Sequence, residues 1–313
     1  MGSAWASIPH RIEAAKERGR AATEHYRIRW AWFDHLLRTV HRYQSQRGDR
    51  LAGGITYFAF LSFFPLLALA FALAGYVVAV RADLRDVIIY TINRQLPGLA
   101  DQVNIGQLAE ARRGAGVIGL LGLLYAGLGA IDALREALRE MVVSCEEPLN
   151  WFLGKLRDLV ALLLIGGAGV LSVLVGGFAV QATGTVLGWI GLGDSMVATV
   201  LVRTAGVVMS VVADMLVFLI ILTWLGKVGK PLITVLKGAL LGAIGFGLLK
   251  QLATLLLAHT LTNPIYGAFA VVVGLLVWIN LAARLSLYVA AWTSTADGAP
   301  PPEPTPMPVN EFA

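Results

Sequence analysis

The stretch that decides the fold runs from 204 to 225 and reads TAGVVMSVVADMLVFLIILTWL. It includes a single acidic or basic side chain, that of Asp214. A helix needs about 20 largely apolar residues to cross the hydrocarbon core of a bilayer. The apolar run is continuous, whereas a membrane-spanning strand alternates apolar and polar residues over about ten positions. The stretch therefore predicts a transmembrane α-helix.

Five further windows have the same character, which predicts an all-α membrane protein with six transmembrane helices. The six windows are approximately residues 54–80, 116–138, 159–180, 204–225, 238–258 and 265–292. The chain of 313 residues is 57% hydrophobic and 14% charged, a composition that excludes both a soluble globule and a disordered chain. Cys145 is the single cysteine, which excludes a disulfide framework and a multi-cysteine metal cluster.

The distribution of Lys and Arg predicts how the spans are oriented. Loops and termini on one side of the six windows hold 17 of these residues, and those on the other side hold six. Cytoplasmic segments carry the excess, so both termini are expected in the cytoplasm. The expected domains are a basic arm over 1–50, a six-helix transmembrane domain over 51–293 and a Pro-rich disordered tail over 294–313.

The last part of the arm is expected to form an amphipathic helix in the plane of the membrane interface. Apolar side chains recur there at helical spacing, with basic side chains beside them. The apolar set is Trp30, Phe33, Leu36, Leu37 and Val40, and the basic set is Arg27, Arg38 and Arg42. Such helices bind membrane lipids with anionic headgroups. Two interpretations stay open, a plain anchor and a helix that recognises a specific lipid.

Two ionisable residues are expected at the same depth near the middle of the membrane. The number of residues from Asp214 to Lys227 equals the number from Lys237 to Lys250. Both reference lysines should lie at the cytoplasmic rim, so each buried charge lies about 20 Å along its helix from that rim. We therefore expect an ion pair or a shared polar cavity. The pair either fixes helix register or forms a substrate or proton site.

Arg284 is a third candidate for a substrate or ion pathway. It lies slightly more than two helical turns before Trp292, which places it about 12 Å below the interface and lets its side chain snorkel. Asp132 and Glu136 near the inner end of the second span are expected at a comparable depth. A weaker hypothesis is that Arg284 pairs with one of these acids. Such a pair would act either as a gate or as a structural contact that holds helices together.

Pro65 lies in the middle of the first predicted span, after Ser62. Proline removes a backbone donor and crowds a carbonyl one turn earlier, so a kink is expected there. Ser62 or Tyr57 could satisfy the freed carbonyl. The kink is either a tolerated structural feature or a hinge or broken-helix site.

Small residues at four-residue spacing form stripes on three spans. The stripes are Ala168, Ser172 and Gly176; Gly238 and Gly242; and Ala282, Ser286 and Ala290. Membrane helices associate where small residues let their backbones approach. The stripes predict packing within the chain or, alternatively, an interface of a homo-oligomer.

The sequence lacks the residues that catalysis would need. The five histidines form no H-E-x-x-H pair, and no G-x-x-x-x-G-K-[ST] or G-x-S-x-G motif occurs. We therefore expect no enzyme activity, no metal and no cofactor. The net charge of +5 is concentrated in the arm beside the membrane, so no nucleic-acid partner is expected.

Three segments resemble the YihY/BrkB family of bacterial inner-membrane proteins. Residues 52–67 read AGGITYFAFLSFFPLL and are similar to its first-span motif, with Tyr57, Ser62 and Pro65 at the recurrent positions. Residues 237–243 followed by Lys250 resemble its Gly-Ala helix, and residues 264–278 its last span. Residues 32–35 and 53–57 resemble the YhjD-type branch.

The resemblance covers roughly residues 30–293 and implies six spans, a place in the inner membrane and a link to envelope integrity. It also implies movement of lipid or lipopolysaccharide precursors. Two departures are Tyr288–Ala291, where many relatives end Gly-Ala-Glu, and Trp224–Val228, which replaces a Tyr-x-x-x-Pro element. An old family label of ribonuclease is rejected because the chain has no nuclease site.

The leading hypothesis is a transporter-like or flippase-like protein for an envelope lipid or amphiphile. Asp214 and Lys250 would form its polar site, and Pro65 would lend flexibility. The alternative is a scaffold that does not transport and that recruits envelope-assembly enzymes through the arm or the tail.

Overall fold

The computed structural model describes residues 23–80, 105–143, 152–168, 196–260 and 267–296, most of which are helical. The first two helices, α1 over 23–29 and α2 over Ala31–Ser45, belong to the arm. The others are α3 (Gly48–Val80), α4 (Ile105–Val142), α5 (152–168), α6 (Met196–Ile220), α7 (Leu232–Thr260) and α8 (Gly267–Ser294). A π-helical turn, Ile221–Leu225, continues α6.

Five of these helices are long and apolar enough to cross a membrane. The candidate spans are Gly48–Ala70, Gly116–Val142, Thr204–Leu225, Leu232–Leu252 and Val272–Ser294. The prediction of an all-helical membrane protein is therefore confirmed for the described residues. The third expected span, 159–180, is described only as far as 168, and most of the tail lies outside the described residues. The count of six, the orientation of the termini and the domain limits stay predictions.

The first two spans pack closely because glycines of α4 lie against Pro65 and the nearby backbone of α3. A Cβ atom on Gly119 would come within 2.8 Å of the Leu69 backbone nitrogen, and one on Gly122 within 2.9 Å of Pro65 Cγ. The helix α3 continues unbroken through Pro65, so it does not adopt the broken-helix form. Ser62 donates to the Ala59 carbonyl oxygen at 2.8 Å, and Tyr57 is 63% exposed.

The core lies at the end of the bundle where α2 packs, here called the α2 end. Its largest fully buried apolar side chains are Leu138, Met141, Leu222, Leu225, Leu287 and Val289. The glycines of α7 permit this packing, since Gly238 lies against Thr293 of α8 and Gly242 against the Phe218 ring of α6. The stripe on the fifth predicted span therefore serves packing within the chain, and a homo-oligomer stays a prediction.

The arm is folded onto the last span rather than extended away from it. The His35 Nε2 atom donates to the Trp292 carbonyl oxygen at 2.9 Å, and Tyr43 stacks on Tyr288 with ring centroids 3.9 Å apart. Asp34 is buried and pairs with both Arg27 and Arg38, at 2.9 and 2.8 Å. The predicted amphipathic helix is therefore present, and its polar side faces the protein.

Exposed apolar side chains lie along α2 and at the residue that precedes it, namely Trp30, Trp32, Leu36 and Val40. Two of the basic side chains expected to contact lipid, Arg27 and Arg38, both pair with Asp34. The position of α2 in the membrane interface stays a prediction.

Candidate functional site: a charged pair between two spans

The structure brings together the two charges that equal spacing placed at one depth. Lys250 Nζ on α7 lies 2.6 Å from Asp214 Oδ2 on α6, so the expected ion pair is present. The same ammonium donates to Ser210 Oγ at 3.1 Å. Ser210 precedes Asp214 by one helical turn, which places both acceptors on the same side of α6.

Local packing explains why α6 and α7 approach closely enough for this contact. Gly242 lies two turns before Lys250, and Phe218 lies one turn after Asp214. A Cβ atom on Gly242 would come within 2.5 Å of the Phe218 ring. The absent side chain therefore lets the two helices pack close together next to the pair.

Aromatic side chains link the pair to the last span. Lys250 Nζ lies 5.3 Å from the centroid of the Phe246 ring, within the range of a cation–π contact. Phe246 in turn contacts Trp278 of α8, with ring centroids 5.6 Å apart. The amine is thus held by a carboxylate, a hydroxyl and an aromatic face.

The pair lies near the surface of the bundle, and its two members are unequally covered. The Lys250 side chain is 39% exposed, whereas that of Asp214 is 13% exposed. On α6, Val207 lies about one turn before Ser210 on the same side of the helix and is exposed. The amine is therefore the more exposed member of a pair that lies at the surface of the bundle.

Arg284 does not pair with either acid that the sequence suggested. Its Nη1 lies 3.3 Å from Asp49 Oδ1 at the start of α3, so the hypothesis of a pair with Asp132 or Glu136 is wrong. Asp49 also accepts a hydrogen bond from Tyr43 at 2.8 Å. Asp49 is only one residue into α3, so a long guanidinium can reach it by snorkelling towards the end of the span.

Tyr43 joins α2 to this contact. Burial of its ring, followed by the hydrogen bond to Asp49, raises the pKa of the Tyr43 phenol well above its usual range. The phenol therefore stays a neutral donor at physiological pH.

Sequence reasoning missed a second ionic cluster, between α4 and α5. Arg135 lies 3.0 Å from Asp158 and also pairs with Asp132, which accepts from Lys155 at 2.7 Å. Asp158 is fully buried. The signal in the sequence is the acid–base spacing of three at 132/135 and 155/158, which places the members of each pair on one side of a helix.

A smaller polar contact was also missed, because neither of its residues is charged. Asn280 of α8 donates from Nδ2 to Thr56 Oγ1 of α3 at 3.0 Å. Within the described ranges, no group of three or more His, Cys, Asp or Glu side chains is placed to hold a metal ion.

The long apolar helices and the ion pairs between them place the chain in the class of multi-pass α-helical membrane proteins. The sequence pattern of the virulence factor BrkB family matches residues 39–310, and the chain belongs to this family.

Two further proteins are similar to this chain over most of its length. An uncharacterised protein of Dickeya dadantii is 32% identical over 272 residues, covering 84% of this chain and 83% of its own length. The inner membrane protein YhjD of Escherichia coli is 28% identical over 272 residues, covering 84% of this chain and 81% of its own length. No solved structure matches the chain.

Proposed function

We propose that this protein is a transporter-like or flippase-like protein of the bacterial inner membrane that acts on an envelope lipid or amphiphile. The observation that carries the proposal is the Asp214–Lys250 pair, which lies within two spans and leaves its amine partly exposed. The similar YhjD protein is named an inner membrane protein, which supports the location. We further propose that both termini are cytoplasmic and that the protein contributes to envelope integrity.

Energetics favour a functional role for the pair over a purely structural one. A charge in the centre of a span costs about 2.5–3.5 kcal/mol on insertion scales. The cost of taking two charges out of water offsets much of their attraction, so helix packing alone gives little reason to keep two charges there. Ionisable side chains inside a membrane most often mark substrate or ion pathways.

The arm fits the same proposal as an anchor at the membrane surface. Its polar side contacts Trp292 and Tyr288 in the last turns of the final span. Its other side exposes Trp30, Trp32 and Leu36, which suits the boundary between headgroups and acyl chains. The arm would thereby hold the α2 end of the bundle at the membrane surface.

Single replacement of the charged pair tests the proposal. Asp214→Asn and Lys250→Gln should each fail to restore the envelope barrier of a strain from which the gene is deleted, measured by uptake of a hydrophobic dye at equal protein level. The matched control is Lys237→Gln, which removes an exposed lysine from the same helix and should restore the barrier. If both single variants restore it as well as the unaltered chain does, the site assignment is wrong.

A further inference from the structure

We infer that α5 is a movable helix, held at the α2 end of the bundle by a polar latch that opens and closes as the protein works. The latch consists of Asp132 and Arg135 on α4, Lys155, Arg157 and Asp158 on α5, and Trp224 on the π-helical turn. This inference rests on the proposed function and deepens it by assigning a motion that transport would require.

Two ion pairs fasten the start of α5 to α4. Arg135 Nε lies 3.0 Å from Asp158 Oδ1, and the two side chains are only 11% and 1% exposed. Lys155 Nζ lies 2.7 Å from Asp132 Oδ2, nearer to the surface of the bundle. A Cβ atom on Gly154 would come within 3.4 Å of the Arg135 guanidinium, so the absent side chain leaves room for this cation. The contact between the two helices is thus built around charges.

Arg157 fastens the same part of α5 to the π-helical turn that continues α6. Its guanidinium donates to the Trp224 carbonyl oxygen and lies 5.6 Å from the centroid of the Trp224 ring. The Trp224 indole donates in return to the Arg157 carbonyl oxygen at 3.3 Å. Asp214 lies slightly less than three helical turns before Trp224, about 15 Å along the helix. A movement of α5 at this contact would therefore reach the helix that carries the charged pair.

Apolar packing contributes little to holding α5. Among its described residues, Ala161 is the only buried apolar side chain, whereas Leu153, Leu156 and Leu163 are exposed. By contrast, α8 buries five apolar side chains between residues 283 and 291. Segments with few buried apolar contacts are those that open locally in a folded protein. The attachment of α5 at the α2 end therefore depends mainly on the latch.

A contact made of charges can part where an apolar contact would stay closed. When α5 moves away from α4, both members of each ion pair regain water, and their hydration offsets much of the lost attraction. Partly exposed pairs such as Lys155 and Asp132 add little to stability. Apolar side chains in the same place would have to expose their surface to water, which opposes opening. The charges therefore suit a contact that has to break and form again.

Replacement of the buried ion pair by apolar side chains tests whether the latch has to open. The full-length double variant Arg135→Met with Asp158→Leu should melt in detergent at or above the temperature of the unaltered chain, because such replacements are often neutral or stabilising. It should nevertheless fail to restore the envelope barrier of the deletion strain at equal protein level. The matched control Arg135→Lys keeps a breakable ionic contact and should restore the barrier. Restoration of the barrier by the double variant would overturn the inference.

Hydrogen–deuterium exchange, followed by mass spectrometry of the unaltered full-length chain, tests the motion without any replacement. Backbone amides of residues 155–165 should exchange at least about tenfold faster than those of residues 281–291, as expected for a segment that opens locally. Asp158→Asn should speed exchange in α5 further and leave residues 281–291 unchanged. Equal exchange in the two segments would overturn the inference, including the case in which the double variant is too unstable to purify. The proposed function fails separately, if Asp214→Asn and Lys250→Gln both restore the envelope barrier.

Discussion

Gly242→Ala tests whether the close contact of α6 and α7 positions the charged pair. In the native packing a Cβ atom at residue 242 would come within 2.5 Å of one Phe218 ring atom and 2.6 Å of another. Phe218 is buried and its ring also contacts Phe246, so it has little room to turn away. The methyl group must therefore push the two helices apart.

The expected cost follows from two opposing effects. Overpacking of a tight core lowers the free energy of unfolding by about 1–3 kcal/mol. Replacing glycine by alanine inside a helix raises it by about 1 kcal/mol. Gly247→Ala on the same helix is the matched control, because a Cβ atom there meets nothing within 4 Å. The two variants gain the same helix propensity, so their difference of about 1–3 kcal/mol measures the clash.

The assay is thermal unfolding of both variants in detergent, together with restoration of the envelope barrier in the deletion strain. Gly242→Ala should melt below Gly247→Ala and restore the barrier less well, because separation of the helices lengthens the contact between Lys250 and Asp214. The reasoning is refuted if Gly242→Ala is as stable and as active as Gly247→Ala.

Three further predictions concern the rest of the chain. Asp158→Asn should lower the free energy of unfolding by about 1–3 kcal/mol because the buried Arg135 loses one of its two carboxylate partners, and a loss no larger than that of the more exposed Asp132→Asn would contradict this. The raised pKa of Tyr43 means that the folded state holds its phenol proton above about pH 10, where the unfolded chain releases it. Stability should therefore fall as the pH rises beyond that value, and Tyr43→Phe should remove this part of the fall in melting temperature. Deletion of residues 1–22 and 297–313 should leave the barrier function intact in the dye assay, whereas a scaffold acting through its ends would lose it.

Part of the candidate site could be predicted because membrane depth follows from counting residues along a helix. The equal spacing of Asp214 and Lys250 from their reference lysines sufficed to expect their contact, which the structure contains. The partner of Arg284 could not be found in this way. Arg284 and Asp49 differ in depth along their helices, and only the reach of a long side chain brings them together.

The buried cluster around Asp158 shows the same limit. Counting charges for orientation treats all basic residues near the rim as exposed to water, yet Arg135 is buried against α5. Whether a charge near the end of a span faces solvent or a neighbouring helix depends on which helices pack together, and one sequence carries no direct signal of that.

The sequence by itself determined that this chain is a bundle of apolar helices in a membrane, because the bilayer leaves a long continuous apolar stretch few alternatives to a helix. It also determined which charges had to be accommodated within the spans. Only the tertiary structure decided how they are accommodated. Side-chain reach, the approach of α6 to α7 at Gly242 and the folding of α2 onto the last span depend on contacts between residues far apart in the chain. Such contacts arise from shape and packing. These depend on many residues from several helices together, and not on any one segment of the sequence.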